Sequence, residues 1–389
     1  MSKCSVKSLR IAIYFPFLYP WVMDLARELS DEVGKVKFYT TGIDGNYPWK
    51  EHEKYTCLVP RLKLLGEIVP HPELLCSFSR YRPHLLLLFA TESVASLFLW
   101  MLCKPLRIRV IPIVEENSER KHNNPLLAIL AEVKKWLVKR LHRGAKLIIA
   151  ESQASRKYLI RMGCSNERIR VIPHGTNIHY FQPKARNEEL AKRISLSEED
   201  MKKVIVLFAG EFREFKGAEY MKQAIMSLAG HIDILFLIPG FGQIFIRDRE
   251  LLEKSVNVRI YPPLHSNEMP DLYCLSNIVI VPSKYYEMGS SDQSPNSLIE
   301  AMACGRSVIG SNTGGIPTIM GNAGVLIPAN DPEAIVHAVL RLASKKELMK
   351  KLGNNARERA VKVLSNRVYA HSILELYAAT MTEGRKIAC

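Results

Sequence analysis

The chain of 389 residues contains no CxxC pair and no Asp-x-Asp pair. Its eight cysteines, at positions 4, 57, 76, 103, 164, 274, 304 and 389, stand apart and mostly among apolar neighbours. That excludes a disulfide framework and a cysteine zinc site, and it fits reduced core thiols in a reducing, cytoplasmic setting. No tandem repeat and no low-complexity tract occurs, and the ordinary composition excludes wholesale disorder and fibrous repeats. The opening, MSKCSVKSLRIAIYFPF, has no apolar run followed by a small-residue cleavage site, so a secretory signal is not expected. Long apolar runs are scarce too. The best candidate for a membrane span, residues 85–103, carries one charge, Glu92, but Thr91-Glu92-Ser93 interrupts it with helix-start chemistry. It reads as a buried strand over 84–90 and a covering helix over 92–103.

What is present is an ordinary globular mixture, 47% hydrophobic and 24% charged, long enough for two domains. The net charge of +15 is uneven. Residues 1–183 hold 28 lysines and arginines against 16 acids, whereas residues 184–389 hold 26 against 23. The first half therefore carries the excess and poses the question of an anionic partner.

Short β-branched or leucine-rich runs alternate with helical patterns along the chain. Strands are predicted at 10–15, 36–41, 84–90, 109–114, 147–151 and 170–173, then at 204–209, 234–238, 258–261, 278–282, 307–310 and 324–327. Helices are predicted between them, among others at 218–228, 268–275, 332–343 and 346–363. Such alternation gives parallel sheets with helices on both faces. Two sets, separated by the polar stretch 183–203, predict an α/β protein of two doubly wound, Rossmann-like domains facing across a cleft. The expected limits are 1–183, 184–365 and a last helix, 366–389, returning to the first domain. Ligands of such sheets bind beyond the carboxyl ends of the strands, so the chemistry is sought in those loops.

In the second half, the loop GEFREFKG runs from Gly210 to Gly217 between a strand and a helix. Arg213 and Lys216 lie beside the coming helix start, a setting that suits a phosphate or diphosphate, or else an ordinary turn with solvated charges. Further on, Asp292 precedes Pro295-Asn296-Ser297, a helix start with Asn296 as expected cap, and Glu300 falls one turn into that helix. Carboxylates there can pair with vicinal hydroxyls of a ribose or hexose, or be a loop residue and an exposed helical acid. Gly314-Gly315 follows a later strand, where backbone amides can approach a ligand or simply turn. Gly240-Phe241-Gly242 follows another strand and is weak by itself.

In this order the fragments resemble the retaining glycosyltransferases of the GT-B fold, family 4. The family's G-R-L-x-x-x-K-G loop is similar to residues 210–217, its G-x-G loop to Gly240 and Gly242, and its P-S segment to Pro282-Ser283. Its E-x7-E motif with A-M-A-C-G is similar to the run from Asp292 through Glu300 to Gly305, and its G-G loop to Gly314-Gly315. The first domain's closing V-I-P-N-G-V-D is similar to residues 171–177, VIPHGTN. The resemblance covers residues 145–365 strongly and the part before it mainly in architecture.

The resemblance implies a nucleotide-diphosphate-sugar donor as substrate and no separate cofactor. Lys216, helped by Arg213, would hold the diphosphate. Glu300 would bind the ribose, and Asp292 the hydroxyls of the transferred sugar. Gly210, Gly217, Gly240, Asn296, Ser297, Gly314 and Gly315 would line the donor site, and the turn through Pro263 and Leu264 would sit by the base. Three departures stand out. Glu211 occupies the place of the family's loop arginine, Asp292 is one methylene shorter than the usual glutamate, and Glu287 follows the P-S segment where a first glutamate often lies. Asp292 is the residue expected to act. With no Asp-x-Asp pair, a bound metal is not expected.

The first half departs more. The expected glycine pair is replaced by Phe15-Pro-Phe-Leu-Tyr-Pro-Trp21, whose rings either stack on a sugar or isoprenoid or pack beneath the next helix. The family's frequent histidine is replaced by Glu115-Glu116-Asn117, where Glu116 either orients the acceptor hydroxyl or begins a helix.

Residues 104–170 contain 16 lysines and arginines against 6 acids. Within them Leu126, Ile129, Leu130, Val133, Trp136, Leu137 and Leu141 follow helical spacing, with Lys134, Lys135, Lys139, Arg140 and Arg143 mostly outside the stripe. This is either a core helix with a solvated basic face or a helix that docks on an anionic membrane, giving peripheral attachment at the inner face of the cell membrane. The acceptor expected beside such a face is a glycan or a lipid-linked carrier. Sugar transfer is thus the expected function. A nucleotide-sugar epimerase on the same architecture and a non-catalytic binder of anionic surfaces or nucleic acid are the rivals. No nucleic-acid partner is expected, because no known motif or aromatic-interleaved basic platform is present.

Overall fold

The computed structural model describes residues 7–16, 19–40, 56–58, 62–64, 67–115, 125–286 and 292–386. The chain forms two compact units, Met1–His174 with Asn366–Cys389, and Gly175–Ser365.

In the first unit the strands are β1 (Arg10–Tyr14), β2 (Lys35–Thr40), β3 (Thr56–Leu58), β4 (Leu62–Leu64), β5 (Glu67–Val69), β6 (Leu85–Leu88), β7 (Arg109–Val114), β8 (Ile148–Ala150) and β9 (Ile169–Val171). Seven of them form one sheet in the order β3-β2-β1-β6-β7-β8-β9, every pair parallel, while β4 and β5 make a separate antiparallel pair. Helices α1 (Pro20–Glu32), α2 (Pro72–Tyr81), α3 (Val94–Cys103), α4 (Pro125–Gly144) and α5 (Gln153–Arg161) fill the crossovers. Side chains alternate faces along each strand, so Ile11, Ile13, Leu85, Leu87 and Ile111 join one core while Ala12, Tyr14, Leu86 and Leu88 join another. The apolar stretch at 85–103 divides as its interruption predicts: β6 is wholly buried, and Ser93 caps α3 by accepting from the amide of Ser96. Among the described residues no helix is long and apolar enough to cross a membrane.

The second unit holds β10 (Val204–Phe208), β11 (Ile234–Pro239), β12 (Val258–Tyr261), β13 (Ile278–Val281), β14 (Ser307–Ser311) and β15 (Val325–Ile327), all parallel in the order β12-β11-β10-β13-β14-β15. Its helices are α6 (Glu188–Arg193), α7 (Glu198–Lys202), α8 (Ala218–Ser227), α9 (Gln243–Glu253), α10 (Met269–Leu275), α11 (Asn296–Ala303), α12 (Ile316–Met320), α13 (Pro332–Ser344) and α14 (Lys346–Val363). The chain is therefore an α/β protein of two doubly wound, Rossmann-like units. The order places β10 next to both β11 and β13, so successive crossovers run outward in opposite directions from it. The gap between β10 and β13 is the switch point where such sheets open a crevice.

Residues 183–203, read from the sequence as a polar separator, fold into α6 and α7. Asn187 caps the first, and a Ser197–Asp200 capping box starts the second. The break between units lies after His174 rather than after residue 183, because Phe181 is buried in the second unit's core. The last helix, α15 (Asn366–Lys386), belongs to the first unit and packs on α1. It supplies Tyr369, Ala370, Ile373 and Tyr377 to that core, and Asn366 Nδ2 donates to the carbonyl of Trp21 at 3.1 Å.

Candidate functional site

Three strands of the second unit, β10, β13 and β14, end side by side, and the loops that leave them are tied together. After β10 the chain passes Gly210 and makes a single 3-10 turn at Glu214–Lys216 before Gly217 opens α8. Gly217 has φ +77°, and a Cβ there would lie 1.8 Å from the carbonyl oxygen of Pro282. Only glycine lets this turn close against the end of β13. The amide of Lys284 then donates to the carbonyl of Phe215 at 3.0 Å, fixing the two loops to each other.

The closure delivers Lys216 to Asp292. Lys216 Nζ donates to Asp292 Oδ2 at 2.6 Å, with the side chains 26% and 11% exposed. The same carboxylate oxygen accepts from Ser283 Oγ at 3.1 Å, and the carbonyl of Ser283 accepts from Ser311 Oγ at 2.7 Å. The backbone carbonyl of Asp292 accepts from the amide of Gly315 at 3.2 Å, so the glycine pair holds the loop that carries the acid. Gly314 sits at φ +55° in that turn. Ammonium, carboxylate, hydroxyl and glycine turn therefore converge at the β10–β13 switch point.

Glu300 lies in the second turn of α11, where its Oε2 accepts from the Tyr273 hydroxyl at 2.8 Å. Burial, and then the Glu300 carboxylate, push the Tyr273 phenol well above its ordinary pKa, so it stays a donor. Asn296 does not cap α11 as expected. The cap position falls on Pro295 without a side-chain bond, and Asn296 is the first helical residue, half-buried beside Ser297.

Gly240 and Gly242 lie at the end of β11. The Gly240 amide donates to the carbonyl of Tyr261 at 2.8 Å, and Gly242, at φ +109°, passes so close to Phe212 that any Cβ would strike its backbone. Pro263 is exposed and Leu264 half-buried in the turn after β12. Arg213, half exposed, is held by Glu211 Oε2 rather than pointing with Lys216 at a common partner. The residues that pattern reading missed are Tyr273 and Ser311. Neither stands in a recognisable motif, and each is found through a hydrogen bond to a motif residue.

In the first unit the aromatic run resolves toward packing. Phe15 and Trp21 are buried, and Phe89 lies 5.3 Å from Phe15 and 5.7 Å from Trp21, centroid to centroid. Trp21 stacks on His174 at 4.2 Å. His174 in turn lies 3.4 Å from Glu151 Oε2, both residues buried beyond the ends of β8 and β9. These described rings are core, not a ligand platform. Glu116 and Glu287 lie outside the described residues, as do Phe17 and Leu18. Among the described residues no cluster of His, Cys, Asp or Glu could hold a metal ion.

The family described as Glycosyltransferase Family 4 matches residues 21–180, and that described as Glycosyl transferases group 1 matches residues 189–359. The chain belongs to the GT-B glycosyltransferases of family 4. It is 25% identical over 260 residues to the D-inositol 3-phosphate glycosyltransferase of Streptomyces bingchenggensis, covering 63% of this chain and 55% of that one. The chain spans about half the length of the curated relatives it matches first. Sucrose-phosphate synthase from Thermosynechococcus elongatus superposes with a TM-score of 0.73 at 21% identity, covering 96% of this chain and 100% of that one. Anabaena HepE, solved in complex with UDP-glucose, superposes at 0.72 and 15% identity, over 95% and 100%. These two show the shared fold.

Proposed function

We propose that the protein transfers a sugar from a nucleotide-diphosphate-sugar to an acceptor hydroxyl of a glycan or lipid-linked carrier, with retention of anomeric configuration. The observation that carries this reading is the Lys216–Asp292 pair at the switch point, braced by Ser283 and the Gly315 amide. As the glycosidic C–O bond breaks, negative charge grows on the departing diphosphate, and a preorganised ammonium meets it without reorganising water. Asp292 keeps that ammonium in place before the donor arrives. A diphosphate, with more charge and more acceptor oxygens, then competes for Lys216, and the carboxylate is released to the hydroxyls of the transferred sugar. Glu300, oriented by Tyr273, receives the vicinal hydroxyls of the ribose. Arg213 joins the diphosphate only by leaving Glu211. The names of the relatives, glycosyltransferases among them, support the same class.

Thermal-shift measurements with UDP-, GDP- and ADP-sugars test the donor, since a ligand that binds only the folded chain raises its melting temperature. Proton NMR of the product then reads the anomeric coupling. A folded chain that none of these donors stabilises, and from which none loses its nucleoside diphosphate, overturns the proposal.

A further inference from the structure

The geometry points to a second functional surface, remote in kind from the donor site: the outer face of α4 seats the first unit on an anionic lipid bilayer. From Ile129 onward the helix turns the wrong side outward for a core element. Ile129 is 63% exposed, Leu130 44%, Val133 49% and Trp136 55%, while Val138, Leu141 and His142 make the buried side. At 100° per residue, Ile129, Val133, Trp136 and Arg140 fall within one narrow arc, with Leu130 at its border. Of the apolar stripe, Ile129, Leu130, Val133 and Trp136 thus face solvent, whereas Leu137 and Leu141 join the core as a covering helix requires.

The surroundings of the arc decide what covers it. Arg140 places its guanidinium 4.9 Å from the centre of the Trp136 ring, so the apolar ridge ends in a cation held over an indole. Half-buried Lys139 and exposed Arg143, whose Nε donates to the carbonyl of Met162 at 2.9 Å, flank the ridge on one side, and the exposed acid Glu132 lies on that same side. The segment from 104 to 170 carries 16 basic residues against 6 acidic. A soluble basic partner is repelled by such a face. A second copy meeting it face to face would bring like charges together. The boundary between lipid headgroups and acyl chains supplies both halves at once, apolar depth for isoleucine, valine and tryptophan and phosphate charge for the rim.

Flotation of the full chain with phosphatidylcholine vesicles, with and without phosphatidylglycerol, tests it at low and high salt. Binding is expected only with the anionic lipid and is expected to fall with salt, as screening requires. The pair Val133→Ser with Trp136→Ser, and separately the pair Lys139→Glu with Arg140→Glu, should each weaken partitioning by roughly tenfold or more. Circular dichroism and the melting temperature without ligand, unchanged in both, report that the fold is kept. Quenching of the lipid-induced tryptophan blue shift in the Trp136→Ser background identifies the inserted ring. Wild-type protein that ignores anionic vesicles overturns the proposal. So does binding that the charge pair abolishes and the apolar pair leaves intact, which describes a soluble polyanion site, or a concentration-dependent dimer that the apolar pair dissolves without any vesicle binding.

Discussion

Lys216 and Asp292 lie 76 positions apart in the sequence and 2.6 Å apart in space, joined by Nζ and Oδ2. The contact exists because β10 and β13 are neighbours in the sheet, each sending its loop over the same edge. Replacing Lys216 by alanine should lower turnover by roughly 100-fold or more, the scale of one lost preorganised charge contact. Steady-state transfer assays on a folded variant check this. Unchanged turnover removes the ammonium from the chemistry.

Gly217 is expected to tolerate no side chain. Alanine there would carry φ +77° and meet the Pro282 carbonyl, so the turn must move away from β13. The expected loss is on the order of 3 kcal/mol in urea unfolding. Donor affinity should fall with it, because Lys216 rides on the displaced turn. An alanine variant as stable as the parent would show that the two loops are not clamped together.

Tyr273→Phe removes a hydroxyl that orients Glu300 and nothing that contacts the leaving group. Donor binding should weaken by about 1 kcal/mol, with turnover at saturating donor nearly kept. Separate measurement of Kd and kcat distinguishes this from a general loss. A fall in kcat alone would contradict the positioning role.

His142, buried on the inner side of α4, donates to or accepts from Thr91 Oγ1 at 2.9 Å through Nε2. Burial lowers its pKa from the ordinary 6.5 to about 4. Between those values the unfolded chain binds a proton that the folded chain refuses, so stability declines as pH falls from 6.5 to about 4 and this contribution to the decline ends below that. The decline attributable to this group is on the order of 3 kcal/mol. Denaturant titrations at several pH values should show the slope, and His142→Gln should flatten it. A slope unaltered by the substitution assigns the pH dependence to other groups.

Much of the architecture could be read before any coordinates. The strands at 109–114 and 258–261 and the helix at 346–363 fall where their patterns put them. Buried parallel strands announce themselves as unbroken apolar runs, and long helices as stripes. What pattern does not carry is too short to repeat its period: β3, the β4–β5 pair, α6 and α7 span three to six residues each. The residues gathered at the β10–β13 switch point are legible as types and spacings, but not which partners they take. Asn296 reads as a cap, but Pro295 takes that position, and no spacing shows that Arg213 is paired with Glu211. Periodicity located the apolar stripe of α4 without saying whether protein or solvent would face it.

The sheet of the first unit is complete in the growing chain by Val171, yet the aromatic and aliphatic side chains that seal its flank against α1 come from Tyr369 to Tyr377. The intervening 175–365 segment has everything it needs to fold while the earlier portion still waits, uncapped, for the tail to leave the ribosome. A chain halted at Ser365 should accordingly show one cooperative melting transition, from the second unit, and a loosened first unit that proteases cut first.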